Sequence, residues 1–273
     1  MKVILNNGVE MPIIGLGTFR SKDEDAYKAT LHALKNGYRH IDTAQAYGNE
    51  EEIGRAIKDS GIKREELFIT TKLWNVNQGY LNTKRALMKS LERLGLDYVD
   101  LYLIHWPQSY EKTRDSYQAL EELYYDGYTR AIGVSNFNFH HLEHLMETAE
   151  IMPQINQVEC HVYLQNVKLQ EFCMKNGIYL EAYAPFLSHH IKELLDDEKM
   201  QAVAKKYKKS VPQIALRYLI QKEIIVIPKS ITPSRIDENL NVFDFEIDEE
   251  DMKVLRTFNK ARKLFPEPDN IDF

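Results

Sequence analysis

The sequence predicts a (β/α)8 TIM barrel, and three observations carry that prediction. Short runs of strand-like composition alternate with amphipathic segments of helical period along the chain. Eight such units fit within roughly 250 residues, the usual extent of this barrel. The fingerprint of a doubly wound dinucleotide-binding sheet, G-x-G-x-x-G opening the first helix, does not occur: "GLGT" runs on into Phe19 and Arg20, and "AIGVSNF" holds a single glycine.

In chain order, "VILNNGVEMP" reads as a hairpin closed by a two-residue turn at Asn7-Gly8. The barrel strands follow as "PIIGLGT" (12–18), "RHIDTA" (39–44), "LFITTKL" (67–73), "VDLYLIHW" (99–106), "RAIGVSN" (130–136), "PQINQVEC" (153–160), "IYLEAYA" (178–184) and "IIVIPK" (224–229). Between them lie helix candidates such as "EDAYKATLHALKNG", "NTKRALMKSLERLG", "RDSYQALEELYYDG" and "SVPQIALRYLIQK". The first three of these end at Gly37, Gly95 and Gly127, glycine being the usual helix stop. One more helix and a polar, proline-containing tail complete the chain. No low-complexity linker or composition break divides residues 1–273, so a single barrel domain is expected.

Composition narrows the function. A net charge of -6 argues against a nucleic-acid or anionic-membrane partner. The start, with one lysine and a three-residue apolar run, is unlike a signal peptide, and no apolar stretch approaches the ~18 residues of a membrane span. Cys160 and Cys173 have neither metal-ligand spacing nor partners for a disulfide framework, which fits a reducing, cytoplasmic setting. A small-molecule partner and a monomeric state are expected.

In such a barrel, chemistry sits at the C-terminal ends of strands. Strand two ends with Asp42 and carries Tyr47 in its loop, strand three ends with Lys72, and strand four ends with His105. Side-chain alternation puts His40 with Asp42, Thr70 with Lys72 and Leu103 with His105, each pair on one face. If those faces point inward, an acid, a lysine and a histidine converge below a tyrosine. A phenol of pKa ~10 donates a proton poorly until an ammonium stabilises its anion. Lys72 would supply that charge, Asp42 would hold it, and a neutral His105 would orient a carbonyl oxygen. Spacing alone is equally compatible with a Schiff base on Lys72. Gly48, beside Tyr47, reads as a small residue that keeps the mouth open.

These residues resemble the aldo-keto reductase family. "HIDTAQAYGNE", "TTKLWN", "LYLIHWP", "IGVSNF", "NQVECH" and "IPKSITPSRIDEN" are similar to its motifs, in order, from about residue 8 to residue 268. The likeness is strongest to the short-loop prokaryotic and protist group that includes 2,5-diketo-D-gluconate reductases. It implies NADPH-dependent reduction of aldehydes and ketones, with Asp42, Tyr47, Lys72 and His105 as the catalytic tetrad and Tyr47 as the acid. It further implies that Ser135, Asn136 and Gln157 bond the nicotinamide carboxamide while Tyr183 stacks on its ring. Lys229, Ser230 and Arg235 match the 2'-phosphate contacts, and Glu238 and Asn239 the adenine contacts. Two cations suit a dianionic phosphate, so NADPH is expected over NADH.

Phe19, Trp74 and Trp106 form the expected pocket wall, suited to small aldehydes, α-dicarbonyls or keto-sugars. Phe19 stands where the family commonly has tryptophan or tyrosine, and Val162 where it has proline. "APFLSHH" departs from the usual segment over the cofactor pyrophosphate, through Phe186, His189 and His190. A redox-sensing subunit that binds NADPH without useful turnover is the alternative from another class. His140, His141 and His144 have helical spacing that could hold a metal, but with no third-shell acid or open coordination site visible they read as a histidine-rich helix surface. The lysines at 205, 206, 208 and 209 read as a basic helix end beside the negative pole of its dipole.

Overall fold

The computed structural model describes residues 1–271; Asp272 and Phe273, the last of the expected tail, lie outside the described residues. A hairpin of β1 (Lys2–Ile4) and β2 (Glu10–Pro12) opens the chain. Leu5 pairs with Val9 across it, and Gly8 N–H closes a turn onto Leu5 O at 2.8 Å. The connection therefore has three residues, Asn6 to Gly8, rather than the expected two. Gly8 takes φ 84°, the left-handed residue that ends a three-residue hairpin loop.

Eight parallel strands follow in sequential order: β3 (Leu16–Gly17), β4 (His40–Asp42), β5 (Phe68–Leu73), β6 (Val99–Ile104), β7 (Thr129–Ser135), β8 (Ile155–Glu159), β9 (Tyr179–Tyr183) and β10 (Ile225–Val226). The sheet curls until its edges meet. Gly15 N–H donates to Val226 O at 2.9 Å, Val226 N–H returns to Ile13 O at 2.9 Å, and Gly17 N–H donates to Pro228 O at 3.1 Å. Ile14 bridges Val226 and Gly17 bridges Lys229 across this seam. This is the (β/α)8 barrel that the alternating pattern predicts. A Cβ at position 17 would lie 2.7 Å from Ile227 O, so the close approach at the seam requires glycine there.

The outer helices are α1 (Asp23–Lys35), α2 (Glu50–Ser60), α3 (Tyr80–Leu94), α4 (Tyr110–Tyr125), α5 (Phe139–Met146), α6 (Val167–Lys175), α7 (Ile191–Leu195), α8 (Glu198–Tyr207), α9 (Val211–Gln221), α10 (Pro233–Leu240) and α11 (Glu249–Arg256). Local sequence sets their ends. Ser210 and Gln213 form a capping box with Pro212 in the first turn of α9. Ser109 accepts from Lys112 N–H at the start of α4. α3 stops on Gly95, whereas α1 and α4 stop on Asn36 and Asp126, one residue before their glycines.

β5 and β6 are buried at every residue, because helices cover the outside and side chains fill the inside. The outside is mostly apolar, with Ile69, Leu73, Tyr102 and Ile104 in one continuous cluster that also takes in the helix faces, and its polar members, Thr71 and Asp100, are bonded to Glu50 and to Arg64 and Arg130. The inside is different. His40, Asp42, Thr70, Lys72, Gln157 and Glu181 are all buried polar residues. Burying so many polar groups is costly unless each finds a partner, and the partners define the site.

Candidate active site

Asp42 ends β4, and the chain then forms a short 3-10 turn, Gln45–Tyr47, that lifts Tyr47 above it. Asn49 braces the turn from beneath. It accepts from Thr43 Oγ1 at 2.7 Å and donates to Thr18 O and Ser21 O at 3.0 and 2.9 Å. Gly48 takes φ 65°, and a Cβ there would meet nothing within 4 Å. The left-handed turn by itself calls for glycine here.

Lys72 comes from β5 and is fully buried. Its Nζ donates to Asp42 Oδ1 at 2.6 Å, Thr43 O at 2.9 Å and the Tyr47 hydroxyl oxygen at 3.3 Å, using all three ammonium hydrogens. Burial alone would lower the Lys72 pKa; the charge and hydrogen bond of Asp42, joined by Tyr47 and Glu181, together outweigh it and hold the ammonium above its ordinary value. Burial raises the Tyr47 phenol, while the Lys72 charge pulls the other way. The net direction for Tyr47 is upward, so Lys72 offsets the desolvation of the phenol without reversing it.

His105 follows β6. Its ring meets Tyr47 edge-on at 5.6 Å between centroids and Trp74 at 5.3 Å. Burial, with help from the Lys72 charge, pushes its pKa well below the ordinary imidazole value, so the ring is neutral. Phe19 packs 5.0 Å from the Tyr47 ring, under the Arg20 guanidinium. Trp106 lies buried after His105, its carbonyl accepting from Gln78 Nε2 at 2.7 Å. Asp42, Lys72, Tyr47 and His105 therefore converge, with Phe19 against Tyr47, Trp74 against His105 and Trp106 next along the chain.

A second set adjoins the first at the ends of β7, β8 and β9. Asn136 takes φ 65°, and its N–H and the Ser135 hydroxyl both donate to Gln157 O, at 2.8 and 2.9 Å. Asn136 Nδ2 donates to His105 O at 3.0 Å, and its Oδ1 accepts the Tyr183 hydroxyl at 2.7 Å. Gln157 Nε2 donates to Asp42 Oδ2 at 2.8 Å, which joins this amide cluster to the ion pair. Tyr183 stands at the end of β9 with Phe265, from the C-terminal tail, edge-on at 5.1 Å. Sequence reasoning missed two residues here, Phe265 and Glu181. The signal for Glu181 was present, since it sits in apolar "IYLEAYA" on the same strand face as Tyr183.

The third set lies past the seam. Lys229 and Arg235 are exposed, Arg235 in the first turn of α10. Among the described residues, neither has an acidic partner at ion-pair distance. Ser230 Oγ accepts from Thr232 N–H at 3.1 Å, shaping the approach to the helix. Unpaired cations beside the positive end of a helix fit an anionic group of phosphate type. Asn239 is buried and Glu238 half-buried on the same helix.

Chains that share this architecture have established chemistry. A model of the aldo/keto reductase family matches residues 13–260. The glyoxal reductase of Bacillus subtilis (strain 168) is 51% identical over 272 residues, which cover 99% of this chain and 97% of that protein. The chain belongs to the aldo/keto reductase family. A 9,11-endoperoxide prostaglandin H2 reductase of Trypanosoma cruzi (strain CL Brener) is 45% identical, with 98% of this chain and 95% of that one covered. Among solved structures, an aldo-keto reductase from a Medee basin deep-sea metagenome library superposes with a TM-score of 0.98 at 62% identity, covering 99% of this chain and 100% of that one. An aldo-keto reductase of Bombyx mori, solved in complex with NADP, superposes with a TM-score of 0.92 at 37% identity, covering 98% and 96%. The family's chemistry, carbonyl reduction with NADPH, is that of this chain.

The histidine-rich helix looks different in the fold. Asp269 reaches back from the tail so that its Oδ1 lies 2.9 Å from His140 Nε2 and 3.1 Å from His141 Nε2. This carboxylate comes from a distant part of the chain, not from the helix itself. His141 Nδ1 accepts Asn138 N–H at 3.1 Å, so its Nε2 carries the ring proton and donates to Asp269 instead of offering a lone pair to a metal. The group fits a latch for the tail, which Asn138 Nδ2 extends to Glu267 and Asp269 at 2.9 and 3.1 Å.

Proposed function

We propose that this reductase acts on small aldehydes and α-dicarbonyls, with Tyr47 delivering the proton. One observation carries the assignment: a single buried ammonium, Lys72, bridges the carboxylate of Asp42 and the hydroxyl of Tyr47, with neutral His105 beside them. A substrate carbonyl oxygen placed between Tyr47 and His105 takes a hydrogen bond from the imidazole and the proton from the phenol. The phenolate left behind is stabilised by Lys72, whose charge Asp42 secures. NADPH, when bound, supplies the hydride.

Ser135, Asn136 and Gln157 offer amide and hydroxyl groups suited to a carboxamide, and the Tyr183 ring offers a face beside them. Lys229, Ser230 and Arg235 would hold a 2'-phosphate, which favours NADPH over NADH, and Glu238 and Asn239 would meet the adenine. Phe19, Trp74 and Trp106 give an aromatic wall that favours compact substrates. The similarity to a glyoxal reductase supports α-dicarbonyls; keto-sugars fit the same pocket.

One domain over residues 1–273, a monomeric state and a cytoplasmic location complete the reading. One continuous core cluster supports the first. Two free, buried cysteines and the absence, among the described residues, of a helix long and apolar enough to cross a membrane are in keeping with the last.

The test is NADPH oxidation with methylglyoxal and DL-glyceraldehyde, using wild type and Tyr47→Phe. Turnover that depends on Tyr47 and falls with NADH is the expected result. Tight NADPH binding with negligible turnover on either carbonyl would instead point to a sensing role.

A further inference from the structure

Beneath the mouth, Glu181 on β9 is fully buried and has no part in the roles above. Its Oε2 accepts one amide hydrogen of Gln157 at 2.8 Å, while the other goes to Asp42 Oδ2, also at 2.8 Å. Gln157 is thereby held between two carboxyl groups, and only its side-chain carbonyl oxygen is left to accept a new hydrogen bond. Glu181 Oε1 is buried with no hydrogen-bond partner, and the His40 Nε2 nitrogen lies 3.6 Å away. A bare anionic oxygen in a closed barrel is far costlier than a neutral acid whose carbonyl accepts one bond. Of the groups facing Glu181, Lys72 favours its charge but is already paired with Asp42, and Asp42 and the burial outweigh it. β4 presents Asp42, already ionised against Lys72 of β5, and His40; the turn after β4 presents Tyr47. The neighbouring residues on β8 and β10 are the uncharged Gln157 and Ile225.

We propose that Glu181 is a positioning residue of the reduction, which as a neutral acid holds the Gln157 carboxamide against Asp42 and so reserves the Gln157 carbonyl oxygen for the nicotinamide carboxamide. This rests on the reading of Gln157 as a cofactor contact. The clamp has a second consequence. Loss of the Glu181 proton would place another negative charge close to Asp42 and make a phenolate at Tyr47 harder to form, slowing reduction. Burial, followed by the Asp42 charge, pushes the Glu181 carboxyl up to about 8, which puts this change at the alkaline edge of the neutral range.

The experiment measures kcat and KM for NADPH with methylglyoxal from pH about 6 to about 10, for wild type, Glu181→Gln, Glu181→Leu and Gln157→Leu. Glu181→Leu offers no acceptor, and KM for NADPH should rise about tenfold, the size of one lost hydrogen bond. Glu181→Gln retains an acceptor oxygen but cannot ionise, so KM should stay within about twofold of wild type and the fall in kcat near pH 8 should disappear. An unchanged KM in Glu181→Leu, or an unchanged alkaline fall in Glu181→Gln, overturns the proposal. If Gln157→Leu raises KM and Glu181→Leu does not, the positioning role alone falls. If Gln157→Leu leaves KM unchanged, the cofactor contact falls with it. Should Glu181→Leu not fold, the pH profile of Glu181→Gln decides.

Discussion

Lys72 Nζ sits 2.6 Å from Asp42 Oδ1, and both side chains are buried. Exposed ion pairs contribute little, but a buried pair broken on one side leaves an uncompensated charge. Lys72→Met should therefore do two separate things. Activity should fall by a factor of about 10² to 10⁴, the usual weight of assisted proton transfer. Stability should fall by about 3–5 kcal/mol, because Asp42 is left unpaired. Chemical denaturation alongside steady-state kinetics would check both, and an active, wild-type-stable Lys72→Met would contradict the assignment of Lys72.

The cations beyond the seam should act on cofactor choice and not on chemistry. Arg235→Ala should raise KM for NADPH about tenfold and leave KM for NADH nearly unchanged, since only the former carries the extra phosphate. Equal losses with both cofactors would remove Arg235 from the phosphate contact.

Acid should weaken the fold through the barrel interior. Burial, followed by the Lys72 charge, pushes His40 down to about 3 from an ordinary 6.5. The folded state then keeps His40 neutral while the unfolded chain takes up a proton below pH 6.5. Its contribution is fully present above 6.5 and is lost as pH falls towards 3. Each such proton is worth about 1.4 kcal/mol per pH unit in that window. Urea titrations of wild type and His40→Asn at several pH values should show a shallower dependence in the variant, by one proton; parallel slopes would refute it.

The seam offers a packing test. Gly17→Ala would drive a Cβ to 2.7 Å from Ile227 O, a backbone atom that cannot swing aside. A loss of about 1–3 kcal/mol in unfolding free energy is expected, read from the denaturation midpoint. A variant as stable as wild type would show that the seam can widen at no cost.

Much of this site was legible because it depends on strand parity. Asp42, Lys72 and His105 stand at comparable places on successive strands, and alternation alone aims the first two into the barrel. What escaped depends on contacts between distant parts of the chain. Gln157 and Asp42 are 115 residues apart, and no local pattern shows that the amide of one spans two acids. Asp269 reaches His140 and His141 from a tail whose Leu264 and Phe265 N–H groups donate to Glu159, a contact across more than a hundred residues. The hairpin differed for a more local reason. Asn7-Gly8 marked the turn correctly, but the pairing of Leu5 with Val9, which depends on backbone geometry, set its length.

The meeting of Gly15 and Val226 ties the chain's earliest barrel strand to its last. During biosynthesis that first strand emerges roughly two hundred residues ahead of its partner, a wait of about 10–40 s at ordinary elongation rates. For that interval one edge of it can pair with β4 while the other waits for β10, an unsatisfied row of N–H and C=O groups open to any passing strand. Closing the barrel therefore has to wait until β10 has been made, late in synthesis, and until then the sheet is open along that edge.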